Sequence, residues 1–127
     1  MNQDIATTVF ESLASGIRLE AFRLLVKQGT AGMVAGEIAA TLGLPPNNLS
    51  FHLKGLAQAG LVSVTQEGRF QRYRANLPLM LELIAYLTAE CCGGHPEQCA
   101  ALGQAAGCSP ALLPALQGQP PNDQEQA

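Results

Sequence analysis

The hydrophobic period of this 127-residue chain changes at Gly60, and that change limits what the chain can fold into. Before Gly60, apolar residues recur at spacings of three or four and the runs end at glycines, as in short amphipathic helices. After Gly60, β-branched and aromatic residues flank Glu67-Gly68, which predicts a β-hairpin with a two-residue turn or a longer loop over residues 66–69. The expected fold is mainly α-helical with one β-hairpin.

Four helices are expected before the hairpin and one after it. The predicted spans are Asp4–Leu13, Ile17–Lys27 capped by Ser15, Val34–Leu42, a fourth helix capped by Asn47 or Asn48 and ending at Gly60, and Leu77–Glu90. The apolar faces expected are Ile5, Val9 and Leu13 in the first helix, and Leu49, Leu53 and Leu56 in the fourth. The last helix is apolar around nearly its whole circumference, so it must bury two sides. A second copy of the chain is the simplest cover for the outer side.

Composition narrows the class of protein further. Hydrophobic residues make up 47% of the chain and charged residues 13%, which is enough for a packed core. The longest apolar stretch, Leu77–Leu87, is interrupted by Glu82 and is about half of the ~20 residues that a membrane span needs. The N-terminus lacks the basic and apolar regions of a secretory signal. We therefore expect a cytoplasmic protein that does not associate with membranes and keeps its cysteines reduced.

The charges are unevenly distributed along the chain. Between Leu44 and Asn76 there are four basic residues and one acidic residue, a net charge of +3. The remainder holds three basic and nine acidic residues, a net charge of −6, which gives −3 overall. A cationic patch on an acidic body is typical of a small DNA-binding protein.

Two short helices joined by a tight turn and followed by a basic hairpin form the winged helix-turn-helix arrangement. Its second helix enters the major groove of DNA, and its hairpin, the wing, follows the backbone or the minor groove. The candidate DNA-binding residues are Asn47, Asn48, Ser50, Phe51, His52 and Lys54 on the fourth helix, and Arg69 and Arg72 beside the hairpin turn. His52 is equally compatible with a packing role, and the basic residues with a solvated surface. No nucleophile–base pair is evident, so an enzyme is not expected.

Several stretches together carry a family resemblance. They are Leu13–Leu25, Glu37–Leu44, Leu49–Val62, and Glu67–Arg69 with Tyr73–Arg74. They resemble the opening helices, recognition helix and wing of the ArsR/SmtB family of metalloregulatory repressors, over roughly residues 5–90. The resemblance implies a cytoplasmic homodimer, joined through its first and last helices, that binds operator DNA and leaves it when a metal ion or metalloid binds.

The chain departs from that family at two sensor sites. Arsenic- and cadmium-responsive members often carry a cysteine pair before the recognition helix, but the matching stretch Gly32–Glu37 contains no thiol. Zinc sites built from Asp and His on the last helix also lack support, because the only histidines are His52 and His95. A sensor in this chain must therefore use other residues.

All four cysteines lie within 18 residues, at Cys91, Cys92, Cys99 and Cys108. Thiolates prefer soft or borderline ions, and three sulfurs suit trivalent arsenic or antimony. Cys91, Cys92 and Cys99 are the preferred ligands, with Cys108 in reserve, and this set resembles an arsenic-responsive subgroup of the family with a vicinal cysteine pair after the last helix. Zinc bound by Cys91, Cys92, His95 and Cys99, or by all four cysteines, is an alternative. A thiol redox switch is another.

These observations predict three regions and one function. Residues 1–90 form a dimeric winged helix-turn-helix domain, 91–109 a cysteine-rich sensing segment, and 110–127 a disordered tail. The expected function is repression at an imperfect inverted repeat in double-stranded DNA, with release by arsenite or a related As(III) or Sb(III) species. A winged-helix interaction module that does not bind DNA is the alternative from another class.

Overall fold

A computed structural model describes residues 1–89 and residue 97 of the chain. The helices are α1 (Gln3–Leu13), α2 (Gly16–Gln28), α3 (Ala35–Leu42), α4 (Pro46–Gln58) and α5 (Leu77–Leu87), and a 3-10 turn (Gly29–Ala31) follows α2. The strands are β1 (Met33–Val34), β2 (Val62–Glu67) and β3 (Phe70–Ala75). The predicted order of four helices, hairpin and helix is confirmed, and α3, α4 and the hairpin form a winged helix-turn-helix.

Residues Asn2–Leu79 form one compact unit around a single apolar core. Its largest fully buried side chains are Val9, Leu25, Ile38, Leu49, Leu53, Leu56 and Leu61. Each of the first four helices contributes at least one of these side chains, and Leu61 lies just before β2. Burying one leucine side chain stabilises the fold by about 1.5–3 kcal/mol.

The hairpin belongs to a three-stranded antiparallel sheet in the order β1-β3-β2. Val62 lies opposite Ala75 and Glu67 opposite Phe70, and the turn is Gly68-Arg69. The predicted turn dipeptide, Glu67-Gly68, is therefore wrong by one residue, because Glu67 still pairs with Phe70. Gly68 begins the turn with a φ of 61°, a value that glycine adopts without strain.

Two details of the helices differ from the prediction. Neither asparagine caps α4: Pro45 is the N-cap and Pro46 the first helical residue, because proline has the required φ and no N–H to satisfy. Helix α1 buries Ala6, Val9 and Ser12, whereas Ile5 is 44% exposed. Small side chains face inward there because α1 lies close to α4, where the Ser12 hydroxyl donates to the Gly55 carbonyl oxygen at 3.4 Å.

Helix α5 begins in the compact unit and continues beyond it. Asn76 caps its N-terminus by accepting a hydrogen bond from the Leu79 N–H at 3.3 Å. The helix ends at Leu87, three residues before the predicted end, and Leu81, Tyr86 and Leu87 are exposed. Among the described helices, none has the length and apolarity that crossing a membrane requires. The predicted boundaries at 91–109 and 110–127 lie outside the described residues.

Strand β1 was not predicted, and Gly32 makes its pairing possible. Met33 lies opposite Tyr73 and Val34 opposite Arg72. Gly32 has a φ of 64°, and a Cβ there would run into the Tyr73 carbonyl oxygen and lie 2.7 Å from Arg74 Cγ. Glycine is thus required by its backbone conformation and by the closeness of β3.

Gly32→Ala should destabilise the protein more than Gly29→Ala. Both glycines have φ near +60° with an extended ψ, so both variants carry a similar backbone strain of about 1–3 kcal/mol. A Cβ at Gly29 meets nothing within 4 Å, whereas one at Gly32 forces β3 to move. We expect the free energy of unfolding, measured in denaturant, to be lower for the Gly32 variant by about a further 1–3 kcal/mol. Equal losses would contradict the role of close approach.

Candidate nucleic-acid interface

Helix α4 is anchored along one side and open along the other. Leu49, Leu53 and Leu56 are at most 1% exposed, as predicted. Because an α-helix turns about 100° per residue, this buried stripe directs Asn47, Phe51 and Lys54 to the opposite side, and all three are exposed. The outer face of α4, defined by these three residues, is a continuous strip along the helix.

The first turns of α4 carry short polar side chains that have no hydrogen-bond partner in the described part of the chain. Asn47, Asn48 and Ser50 are exposed, and none of them makes a side-chain hydrogen bond within residues 1–89. Amide and hydroxyl groups in this state are free to bond to base edges or phosphates. The structure therefore brings these three predicted residues together at the N-terminal end of the outer face.

Two predicted ring side chains, Phe51 and His52, occupy different environments. Phe51 is 66% exposed, although a phenylalanine on a helix is more often buried. His52 is half-buried at the edge of the outer face, and its ring meets Phe51 edge-on with centroids 5.4 Å apart. His52 Nδ1 is buried and has no partner among the described residues. This placement gives His52 a packing contact and gives Phe51 access to solvent.

The hairpin contains three arginines. Two of them form hydrogen bonds with neighbouring groups, and the third has no hydrogen-bond partner among the described residues. Arg72 Nε donates to both carboxylate oxygens of Glu67 at 3.0 Å, and its Nη1 donates to the Ala31 carbonyl at 3.1 Å. Arg74 Nε donates to the Thr30 carbonyl at 2.8 Å. These bonds fasten β3 to the turn after α2. Arg69, in the hairpin turn, is exposed and has no partner in the part of the chain that the structure describes.

The opposite face of the hairpin packs on the core through Tyr73. Its ring is buried and its hydroxyl donates to Gln71 Oε1 at 3.1 Å. Burial raises the pKa of Tyr73 above its ordinary value, because the phenolate would lose its hydration. Tyr73 therefore stays neutral across the physiological range and adds no negative charge to the wing.

One cation beside α4 was not predicted from the sequence. Arg18 of α2 places its guanidinium carbon 5.9 Å from the centroid of the Phe51 ring. The available signal was Gly55, one helical turn after Phe51, because a glycine inside a helix often marks the close approach of another group. The interface thus draws on α2 as well as on α4 and the wing.

The predicted metalloid ligands Cys91, Cys92, Cys99 and Cys108 all lie outside the described residues, as does His95. Within the described part, no group of three or more His, Cys, Asp or Glu side chains is arranged to hold a metal ion. The assignment of the sensor to the cysteines stays a prediction.

Known proteins share this architecture. Residues 13–65 match a family model described as a helix-turn-helix domain. An ArsR-like transcriptional regulator from Rhodococcus sp. RHA1 is 27% identical, with a TM-score of 0.60, over 81% of this chain and 93% of its own. HlyU from Vibrio cholerae N16961 is 26% identical, with a TM-score of 0.55, over 68% of this chain and 97% of its own. HlyU has also been solved in a reduced form.

A third structure carries a more detailed description. It is the homodimeric winged helix-turn-helix DNA-binding domain of Mb0332 from Mycobacterium bovis, a possible ArsR-family transcriptional regulator. It is 29% identical, with a TM-score of 0.55, over 72% of this chain and 85% of its own. Proteins of curated function yield no match. The fold, the helix-turn-helix match and these structures make the chain a winged helix-turn-helix protein that is similar to transcription regulators of the ArsR/HlyU type.

Replacing Arg72 and Arg69 by alanine should have different effects. Arg72→Ala removes the bonds to Glu67 and Ala31, and we expect the free energy of unfolding to fall by about 0.5–1.5 kcal/mol because the pair is partly exposed. Arg69→Ala should leave stability within about 0.5 kcal/mol. It should instead make the logarithmic salt dependence of DNA binding shallower by about 0.9 for each phosphate that the variant no longer neutralises.

Denaturant unfolding and fluorescence anisotropy on duplex DNA measure the two effects. The division of the arginines is contradicted if Arg69→Ala destabilises the protein as much as Arg72→Ala does.

Proposed function

We propose that this chain is a homodimeric repressor that binds an imperfect inverted repeat in double-stranded DNA and is released by trivalent arsenic. The observation that carries the DNA-binding part is the outer face of α4. Its leucine stripe is fully buried, and Asn47, Phe51 and Lys54 stand in solvent on the opposite side. A helix held in this way is able to enter a major groove without disturbing its own core.

Each exposed group fits one part of a DNA duplex. Asn47, Asn48 and Ser50 offer amide and hydroxyl groups to base edges, and asparagine bonds adenine in a bidentate manner. Phe51 offers an apolar edge to a thymine methyl group. Lys54 supplies a cation for a phosphate, and Arg69 at the hairpin turn supplies one for the backbone or a narrow minor groove.

Homodimer formation is supported by exposed apolar side chains on the first and last helices. Ile5 and Phe10 on α1 and Leu81 and Leu87 on α5 are all exposed in the single chain. On each helix, these apolar side chains offer a surface that a second copy of the chain would cover. The Mb0332 domain is described as homodimeric, and it supports the same assembly here.

The chain should be a dimer at micromolar concentration in sedimentation experiments. In a selection from random duplexes, it should enrich inverted half-sites with centres one helical turn apart, about 34–36 Å. Asn48→Ala and Ser50→Ala should change the preferred bases, while Gln28→Ala, at an exposed position at the end of α2, should not. A monomer at that concentration, or an unchanged preference in both α4 variants, would contradict the proposal. Absence of any duplex binding would favour the interaction module.

Release by As(III) is supported by the chemistry of the cysteine segment. Cys91, Cys92 and Cys99 are three soft ligands within nine residues, and they follow directly after the last helix in the sequence. An ion that orders this segment would bias the helix proposed to join the two subunits. The spacing of the two α4 helices would then no longer match the operator. Antimony(III) has the same preference for sulfur, and zinc is the divalent alternative.

A thiol redox switch is a second candidate for the signal. It is favoured by the same clustered thiols and by the fact that HlyU of Vibrio cholerae has been solved in a form described as reduced. In this case an oxidant, with no metalloid present, would form a disulfide and lower the affinity for DNA.

Arsenite should lower operator affinity by about 5–150-fold, the usual range of allosteric coupling. Cys91→Ser, Cys92→Ser and Cys99→Ser should each bind DNA normally and lose this response, and Cys108→Ser should keep it. The measurement is operator anisotropy with arsenite, antimonite, zinc and hydrogen peroxide titrated separately. Release by zinc alone or by peroxide alone would overturn the arsenic assignment. Loss of the response only in Cys108→Ser would overturn the choice of three ligands.

A further inference from the structure

Arg18 reaches from α2 onto the surface of α4. It lies in the first turn of α2, where its backbone N–H donates to the side chain of Ser15, the N-cap residue, at 3.4 Å. Its side chain crosses α4 at Gly55: a Cβ built on Gly55 would lie 3.0 Å from both the guanidinium carbon and Nη2 of Arg18. The Arg18 guanidinium therefore occupies the space that any larger residue at position 55 would fill.

The charge of Arg18 is not neutralised by the described part of the protein. Its Nε is buried without a hydrogen-bond partner, and no carboxylate among residues 1–89 forms an ion pair with it. A buried donor and an unpaired cation both cost free energy, so such groups normally have a partner. The guanidinium carbon lies 5.9 Å from the centroid of the Phe51 ring, which is a cation–π contact. Both Nη groups also lack a partner among residues 1–89, and unlike Nε they are not fully buried, so an anion from outside is able to reach them.

The position of Arg18 indicates which anion that is. Phe51 is central to the outer face of α4, and Gly55 lies one turn further along the same helix, so Arg18 borders the outer face. When a recognition helix lies in a major groove, the groups beside it meet the sugar-phosphate backbone at the rim of the groove. Guanidinium binds phosphate through two parallel hydrogen bonds.

We propose that Arg18 is a DNA-binding residue that contacts a backbone phosphodiester beside the major groove, and that Gly55 is required to make room for it. The proposal rests on the proposed DNA-binding function and adds a contact from α2.

The first test compares Arg18→Gln with Arg23→Gln. Arg23 is on the same helix, about 140° around it from Arg18, and is exposed, so its variant removes an equal charge from another side of α2. The probe is a duplex of about 30 base pairs, long enough for two half-sites, titrated between about 50 and 200 mM salt. Arg18→Gln should make the logarithmic salt dependence shallower by about 0.9 per phosphate, or about 1.8 for a homodimer. Arg23→Gln should leave the salt dependence unchanged.

The second test keeps the charge of Arg18 and fills the space beside Gly55 in which its guanidinium lies. Gly55→Met fills the space in which the guanidinium lies, since even its Cβ would be 3.0 Å from the guanidinium carbon, so Arg18 must move away from its position beside Phe51. Methionine is a better helix former than glycine, so the melting temperature should be kept while the salt dependence becomes as shallow as in Arg18→Gln. Gly36→Met in α3 is the matched control, because a Cβ at Gly36 meets nothing within 4 Å.

The outcomes separate this proposal from the one on which it rests. If the native chain binds no duplex, the proposed function fails. If the native chain binds and Arg18→Gln has the native salt dependence, Arg18 is only a packing partner of Phe51 and the proposal fails. An equal change in Arg23→Gln would also overturn it, because the effect would then be one of net charge.

Discussion

The burial of one leucine face of α4 is the constraint on which the rest of the interface depends. Leu49, Leu53 and Leu56 are inaccessible to solvent, and replacing one of them by alanine would cost about 2–5 kcal/mol. That is a large part of the roughly 5–15 kcal/mol that typically stabilises a domain. Rotating α4 by one residue would bring polar side chains into the core. The helix is therefore held in the one orientation that exposes Asn47, Phe51 and Lys54.

The wing depends on a different kind of interaction, in which arginine side chains donate hydrogen bonds to backbone carbonyl groups. Arg72 and Arg74 bond to carbonyl groups of the turn between α2 and β1, and Gly32 lets β1 approach β3 closely enough to pair. Each bond is modest because it is partly exposed. Together they position the hairpin against the same unit that carries α4. Among the arginines of the wing, Arg69 is the one whose donors have no partner in the described residues and are open to an external one.

The buried leucine face of α4 and the hydrogen bonds of the wing together explain how an acidic chain presents a cationic surface. Most carboxylates lie outside residues 44–76, and the one inside, Glu67, is paired with Arg72. Lys54 and Arg69 remain unpaired within the described residues, and Arg18 adds its charge at the edge of α4. Net charge is therefore a poor guide to the partner of this protein, because binding responds to the local potential.

The sequence by itself determined the order of the helices, the hairpin and the leucine face of α4, because each follows from a local period of apolar residues and from glycines that end the helices. It also placed Phe51 among the DNA-binding candidates and outside the apolar face of the fourth helix. Tertiary structure decided the features that depend on distant residues. The hydrogen bond between Arg72 and Ala31 joins residues 41 positions apart, and the one between Ser12 and Gly55 joins residues 43 positions apart. No local sequence pattern predicts such a bond. Three similar arginines in the hairpin could thus be told apart only once β3 was placed beside its neighbours.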